Sequence, residues 1–237
     1  MTGCQDRCVQ ELVSAQSEDA LFERAAARVA KLGFEYCAYV ARVPIPVTQP
    51  RHLFFSNTPQ PWHERYRIEH LWDSDPVFAQ AQSTSLPVVW TDQLFEQAPE
   101  FAAAAREHGL VFGWSQLCID ALGARAVVSF MRSEGELSDA ELTEKNESMA
   151  WTAQVLHAAM MQLDRARFPV QQPSEPLSYR EREVLRWTAD GKTAAEVAEI
   201  LVITERTVNF HINRCIEKLK VNNKLAATVR AAMLGLL

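Results

Sequence analysis

The stretch TAAEVAEILVITERTVNFHINRCIEKL, residues 193–219, decides how the C-terminal part of this 237-residue chain folds. Thr193 and Glu196 stand at the spacing of a capping box, in which two side chains satisfy backbone N–H groups at a helix start. Apolar Val197, Ile200 and Leu201 follow at helical spacing. Ile203 and Thr204 form a tight joint, and Thr204 caps a further helix that runs to about Leu219. Two helices separated by so few residues make a helix-turn-helix. In the later helix Val208, Ile212, Cys215 and Leu219 share one face and dock onto neighbouring helices. The opposite face offers Arg206, Asn209, Asn213 and Arg214, with His211, Lys218 and Lys220 flanking. Asn pairs bidentately with adenine and Arg with guanine, while basic residues at the ends supply phosphate contacts. An ordinary solvated helix in a small bundle would carry similar periodicity, so the face alone leaves both readings open.

Outward from this core the punctuation stays legible. Ser178 and Glu181 form another capping box, opening a helix that ends near Gly191, where a left-handed C-cap is wanted. Asn222 or Asn223 opens a last helix ending near Gly235. Residues 177–237 therefore read as an all-α, four-helix domain. Before it, Pro169, Pro173 and Pro176 mark residues 169–176 as a linker that cannot continue a helix. Residues 1–168 mix element types. Helices are expected at 18–32, 61–71, 92–107 and 138–167, and strands at 34–43, 52–55, 114–119 and 126–131, the first strand stopped by Pro44 and Pro46. The mixture is that of an α+β sandwich. Ser138 and Glu141 read as a capping box for the long helix. Its Leu142, Met149, Leu156 and Leu163, spaced by sevens, offer either a surface for pairing two copies or packing onto the protein's own sheet.

Charge separates the two parts further. Residues 170–237 hold ten Lys/Arg and eight Asp/Glu, a net +2, whereas the remainder carries −8 within an overall −6. Such asymmetry points to different jobs for the two halves. Cys4, Cys8, Cys37, Cys118 and Cys215 are scattered and odd in number, which suits neither a disulfide framework nor a zinc site. The chain starts without a signal-peptide pattern, and no apolar stretch reaches the roughly 20 residues that span a bilayer. A cytoplasmic protein without metal or cofactor is expected. The six histidines form no HxH or HExxH, and Gly113-Trp-Ser lacks the second glycine of a serine-hydrolase elbow, so no enzyme is expected.

The run Leu177-Ser-Tyr-Arg-Glu-Arg-Glu-Val-Leu185, with Gly191, Glu196, Ile203 to Val208, His211 and Lys218-Leu219, resembles the LuxR-type DNA-binding domain over the whole of residues 177–237. The family's hallmark Glu, Leu and Gly fall on Glu181, Leu185 and Gly191. The resemblance implies base reading by Asn209 and Asn213, backbone contacts from Thr207, and further DNA contacts from Arg206, His211, Arg214 and Lys218.

Upstream, Trp62 and Tyr66 lie one helical turn apart, followed by Asp75-Pro76, Trp90 and Gly113. Chemically these are two hydrogen-bond donors, one carboxylate acceptor and an aromatic wall, although core aromatics and a helix cap would look alike. The pattern resembles the acyl-homoserine-lactone-binding domain of quorum-sensing LuxR-type regulators, across roughly residues 18–164. It implies an α-β-α sandwich with a central antiparallel sheet. Within it, Trp62 would donate to the lactone carbonyl and Tyr66 to the acyl carbonyl. Asp75 would accept from the amide N–H, Trp90 would wall the ring, and Ser129 would add a hydroxyl. Ala38 and Thr58 stand where some relatives place a polar contact, which leaves the acyl-chain end unassigned. The implied protein is a dimeric transcription regulator that binds an N-acyl homoserine lactone and an inverted-repeat operator in double-stranded DNA, with RNA polymerase as a further partner. A regulator answering to another small molecule, or to none, is the alternative.

Overall fold

Strand β1, Tyr36–Val43, alternates apolar side chains to both faces, the pattern of a strand covered on each side. In the computed structural model, which describes residues 10, 12–44, 49–169 and 173–237, it sits inside a five-stranded antiparallel sheet. The other strands are β2 (Arg51–Ser56), β3 (Val88–Val89), β4 (Phe112–Ile119) and β5 (Arg125–Arg132), in the order β2-β1-β5-β4-β3. Cys4, Cys8, Pro46 and linker residues 170–172 lie outside the described residues. The chain divides into two units, Met1–Phe168 and Pro169–Leu237.

In the first unit, helix α1 (Glu18–Lys31) and the long α6 (Asp139–Arg167) cover one face of the sheet, burying Cys37, Tyr39, Trp114, Val128 and Phe130. Helices α2 (Gln60–Ile68), α3 (Pro76–Ser83), α4 (Asp92–Phe95) and α5 (Pro99–Glu107) belong to the other side, with Val40, Val127 and Met131. The unit is an α-β-α sandwich. The helix expected over 92–107 is split in two, because Pro99 cannot continue a helix from α4 and instead starts α5. Helix α3 bears out the alternative in which Asp75 is a helix cap. Asp75 creates it by accepting from the N–H groups of Val77 and Phe78, with Pro76 at its first position.

For α6 the structure decides between the two readings of its stripe and corrects the expectation for its start. Its heptad stripe packs onto the protein's own core: Met149 and Leu156 are fully buried there, with Leu142 and Leu163 alongside. It is not a free surface for a second copy. Ser138 does cap the helix by accepting from the Glu141 N–H, but the reciprocal half of the capping box is missing. The Glu141 carboxylate is taken by Arg132, at 2.7 and 2.9 Å, and by Lys145. These hydrogen bonds, Arg132's foremost, hold its carboxyl down at about 2 despite some burial. At its far end α6 is gripped from β2: Arg51 pairs with buried Asp164 and lies 4.0 Å from the Phe168 ring centroid.

The second unit is helical: α7 (Tyr179–Ala189), α8 (Ala194–Leu201), α9 (Glu205–Leu219) and α10 (Lys224–Met233). Complete capping boxes at Ser178–Glu181 and Thr193–Glu196 start α7 and α8, Thr204 caps α9 and Asn223 caps α10. Gly191, at φ +84°, turns the chain out of α7 in a conformation that favours glycine. Leu185, Cys215, Leu219, Ala227 and Ala231 fill one part of the core; Val184, Val197, Val208 and Ile212 fill the other.

Candidate ligand cavity and DNA-binding face

Between the sheet and α2, α3 and α5 lies a cavity with about 480 Å³ of unfilled space, the solvent at its mouth included. Trp62 and Tyr66 on α2 reach it because helical positions four apart share a face. Asp75 reaches it from the start of α3, and Val127, Ser129 and Met131 from alternate positions of β5. Tyr66 donates to Asp75 at 2.8 Å. The other oxygen of Asp75 accepts two backbone N–H groups, so one of its roughly four lone-pair positions is left for a further donor. The residue as a whole is half-buried, but its carboxyl is engulfed. Burial pushes it up to about 6, and the bonds from Tyr66, Val77 and Phe78 only partly offset that. The Trp62 indole N–H, on a residue only 5% exposed, meets no protein acceptor among the described residues. An unpaired donor and a spare acceptor on a carboxylate, in mostly apolar surroundings, are what a ligand with a carbonyl and an N–H would satisfy.

Trp90 is held differently. Its indole packs flat against Gly113, where an added Cβ would come within 2.5 Å of the ring, and its N–H donates to Ser115 at 3.0 Å. Ser115 and Ser129 share a hydrogen bond of 2.7 Å. The three side chains thus form a polar chain beneath the cavity.

In the second unit, Arg206, Asn209, Phe210, Asn213 and Arg214 of α9 are exposed, while Thr207 and His211 are half-buried. Val208, Ile212 and Cys215 hold the opposite side of the helix in the core. Thr207 shares a hydrogen bond with Thr204, and Arg214 pairs with Glu217 across the helix surface. This leaves a rigid helix presenting amide and guanidinium groups outward, on a unit whose charge balance is positive.

Known proteins divide along the same lines. Residues 17–160 match the family described as autoinducer binding domain, and residues 175–231 match the bacterial regulatory proteins of the luxR family. The chain belongs to the LuxR family. The transcriptional activator protein AnoR of Acinetobacter nosocomialis is 37% identical, covering 100% of both chains. The quorum-sensing regulator RhlR of Pseudomonas aeruginosa is 34% identical over 97% of this chain and 93% of its own. The crystal structure of Escherichia coli SdiA superposes with a TM-score of 0.73 at 30% identity, covering 99% of this chain and 98% of that one. A second SdiA structure, in complex with octanoyl-rac-glycerol, gives 0.69 at the same identity over 98% and 95%. These relatives are transcription regulators rather than enzymes, and this LuxR-type chain is one too.

Of the residues picked from the sequence, Trp62, Tyr66, Asp75, Trp90 and Ser129 all line one cavity, and Ala38 and Thr58 line it as well. Pro76 and Gly113 shape it from outside, through the α3 start and the Trp90 seat. The Tyr66 hydroxyl was expected on an acyl carbonyl; its only hydrogen is already given to Asp75. Trp90 spends its N–H on Ser115, a residue the sequence reading did not single out. The alternation of β4 could have found it, since Ser115 pairs with Ser129 in register. Phe210 was missed too, although positions 206, 209, 210, 213 and 214 follow helical spacing. Lys218 is the clear correction. It is 9% exposed, donating to Glu181 at 2.9 Å and to the Pro176 carbonyl at 3.0 Å. A lysine so enclosed fastens the unit's interior and does not reach a phosphate. Glu181, which burial alone would raise, is held below its ordinary value by Lys218 and by the Ser178 N–H.

Proposed function

We propose that this LuxR-type regulator takes an N-acyl homoserine lactone into the cavity of residues 1–168 and, as a dimer, reads an inverted-repeat operator through residues 177–237, with 169–176 as linker. The observation that carries the ligand reading is the pairing of Asp75's spare acceptor position with the unpaired Trp62 N–H above an apolar cavity. An amide N–H bonded to the Asp75 carboxylate contributes about 1.5–3 kcal/mol, and the lactone carbonyl takes the indole donor. A tail of about six methylenes adds on the order of 5 kcal/mol, at about 0.8 each. The tail supplies most of the affinity and the polar groups choose the headgroup. Tyr66 reaches the acyl carbonyl only by giving up its bond to Asp75, which the amide N–H then replaces.

On DNA, Asn209 and Asn213 read base edges and Thr207, Arg206, His211 and Arg214 hold the backbone. A net +2 makes a single unit a weak binder, so two half-sites are engaged together. The site of action is the cytoplasm, with RNA polymerase as the partner that reads out promoter occupancy.

The test is co-expression with a panel of acyl lactones, then mass spectrometry of the purified protein and thermal titration of wild type and Asp75→Ala. Retention of one lactone, with its stabilising shift lost in Asp75→Ala, is expected; an unchanged shift in the variant would overturn the assignment. A second reading is favoured by the SdiA complex with octanoyl-rac-glycerol. A monoacylglycerol has no amide N–H, but its two hydroxyls can donate to Asp75 as well, so the mass of the retained ligand, rather than the Asp75→Ala variant, tells the two readings apart.

A further inference from the structure

The ligand side of the sheet does not end at the cavity. Beyond Phe78 and Val127, which line both spaces, lies a second hollow of about 580 Å³, its mouth included, walled by Arg42, Gln82, Leu117 and Arg125. The strands explain the continuity. Ala38, Val40 and Arg42 follow one another on the same face of β1, as Ser129, Val127 and Arg125 do on β5.

Arg42 and Arg125 are direct cross-strand partners. Like charges placed opposite each other in a sheet destabilise it. Both are exposed, and neither makes an ion pair or side-chain hydrogen bond among the described residues. By contrast Arg28, Arg51, Arg65, Arg106, Arg132 and Arg165 of the same unit find partners, whereas Arg67, exposed on α2, has none among the described residues but faces no second arginine across a strand. The nearby acid Asp120 is taken by Arg165. On the other side of Arg42 its strand partner is His52, whose proton is loosened by burial and by the Arg42 charge, with Asp73 acting in the opposite sense. Two uncompensated guanidiniums thus stand over the apolar floor of Leu117, Val127 and Phe78, in line with the ligand cavity.

We propose that Arg42 and Arg125, with Gln82, form an anion site that takes the carboxylate at the end of an aliphatic chain whose remaining length lies in the adjoining cavity. The proposal rests on the reading of that cavity as a ligand site. A carboxylate between two guanidiniums accepts charge-assisted hydrogen bonds from both and removes their repulsion. The four steps along β5 from Ser129 to Arg125 span about 14 Å at ~3.4 Å per residue, the reach of a medium-length chain. The same chemistry arrives from two sources: a free fatty acid, or an acyl lactone carrying a terminal carboxylate.

Calorimetric titration of the full chain separates them, using decanoate, neutral decanamide, N-decanoyl homoserine lactone and its analogue with a terminal carboxylate. Each is run on wild type and on the Arg42→Met/Arg125→Met double variant. In wild type at least one carboxylate probe should bind at least tenfold tighter than its neutral counterpart, and the advantage should vanish in the double variant. A decanoate effect without binding of either lactone would support the anion site while sinking the lactone reading. N-decanoyl homoserine lactone binding, with no gain from a carboxylate in either probe, would overturn the anion site and leave the lactone reading standing. An advantage that survives the double variant also overturns it. If the double variant fails to fold, Arg125→Gln carries the same readout.

Discussion

A Cβ built on Gly113 would stand 2.5 Å from Cδ2 and 2.6 Å from Cε2 of Trp90, so Gly113→Ala has to lift the indole from its seat. That breaks the Trp90–Ser115 hydrogen bond and pushes the ring into the cavity. Ligand affinity is expected to fall by at least tenfold while the fold survives, as thermal titration against circular dichroism would show. Asp75 makes a prediction about pH. Its folded carboxyl is raised from 3.8 to about 6, so the folded state holds the proton more tightly than the unfolded chain. Stability from this group is complete below about pH 4, declines as pH rises toward 6, and stays lost above it. Two units correspond to an upper bound of about 3 kcal/mol, reduced by the residue's partial exposure. In Asp75→Asn that slope should disappear, so the difference in Tm between variant and wild type must change between pH 4 and pH 7; a constant difference refutes it. Lys218 shows what sequence alone conceals. A lysine near a recognition helix reads as a phosphate ligand until burial is known, because helical spacing does not report that Glu181 lies across from it. Removing it should cost about 3–5 kcal/mol, the penalty of an orphaned buried charge, and leave the salt dependence of DNA binding unchanged. Denaturant melts and binding at several salt concentrations check both halves.

Among the elements, legibility followed punctuation. The helices of the second unit could be bounded from sequence because Ser178, Thr193, Thr204 and Asn223 each cap a helix through their side chains. Helix α3 had no bounds of its own because Asp75 reads equally as a helix cap and as a ligand residue; it caps α3 and also lines the cavity. The α6 stripe was ambiguous for another reason. Apolar spacing by sevens says that a face is buried, not against what. Since that face meets the sheet, Met149→Ala or Leu156→Ala should destabilise the N-terminal unit itself by about 2–5 kcal/mol, measured by denaturant unfolding. Loss of dimer without loss of stability would contradict the packing. On α9, Asn209→Ala and Asn213→Ala should each relax base preference at one position of each half-site, by about 1–3 kcal/mol. Titrations on single-base operator variants decide this; full discrimination in both variants would mean another face reads the DNA.

For the whole molecule, occupancy and folding are linked. A ligand that fills the cavity binds only the folded unit, so at a hundredfold excess over Kd it should add about 2.7 kcal/mol of stability. Equal protease resistance with and without saturating lactone would rule this out. The clasp of Arg51 gives that linkage a direction. The strand it opens carries Phe54 and Ser56 into the cavity wall, while Arg51 itself holds Asp164 and Phe168 in the last stretch of the unit before the chain leaves for the DNA-reading domain. One strand therefore lines the cavity at one end and moors the exit of the chain at the other. Cutting the mooring with Arg51→Met should leave lactone uptake near normal yet free the departing chain from the news of it.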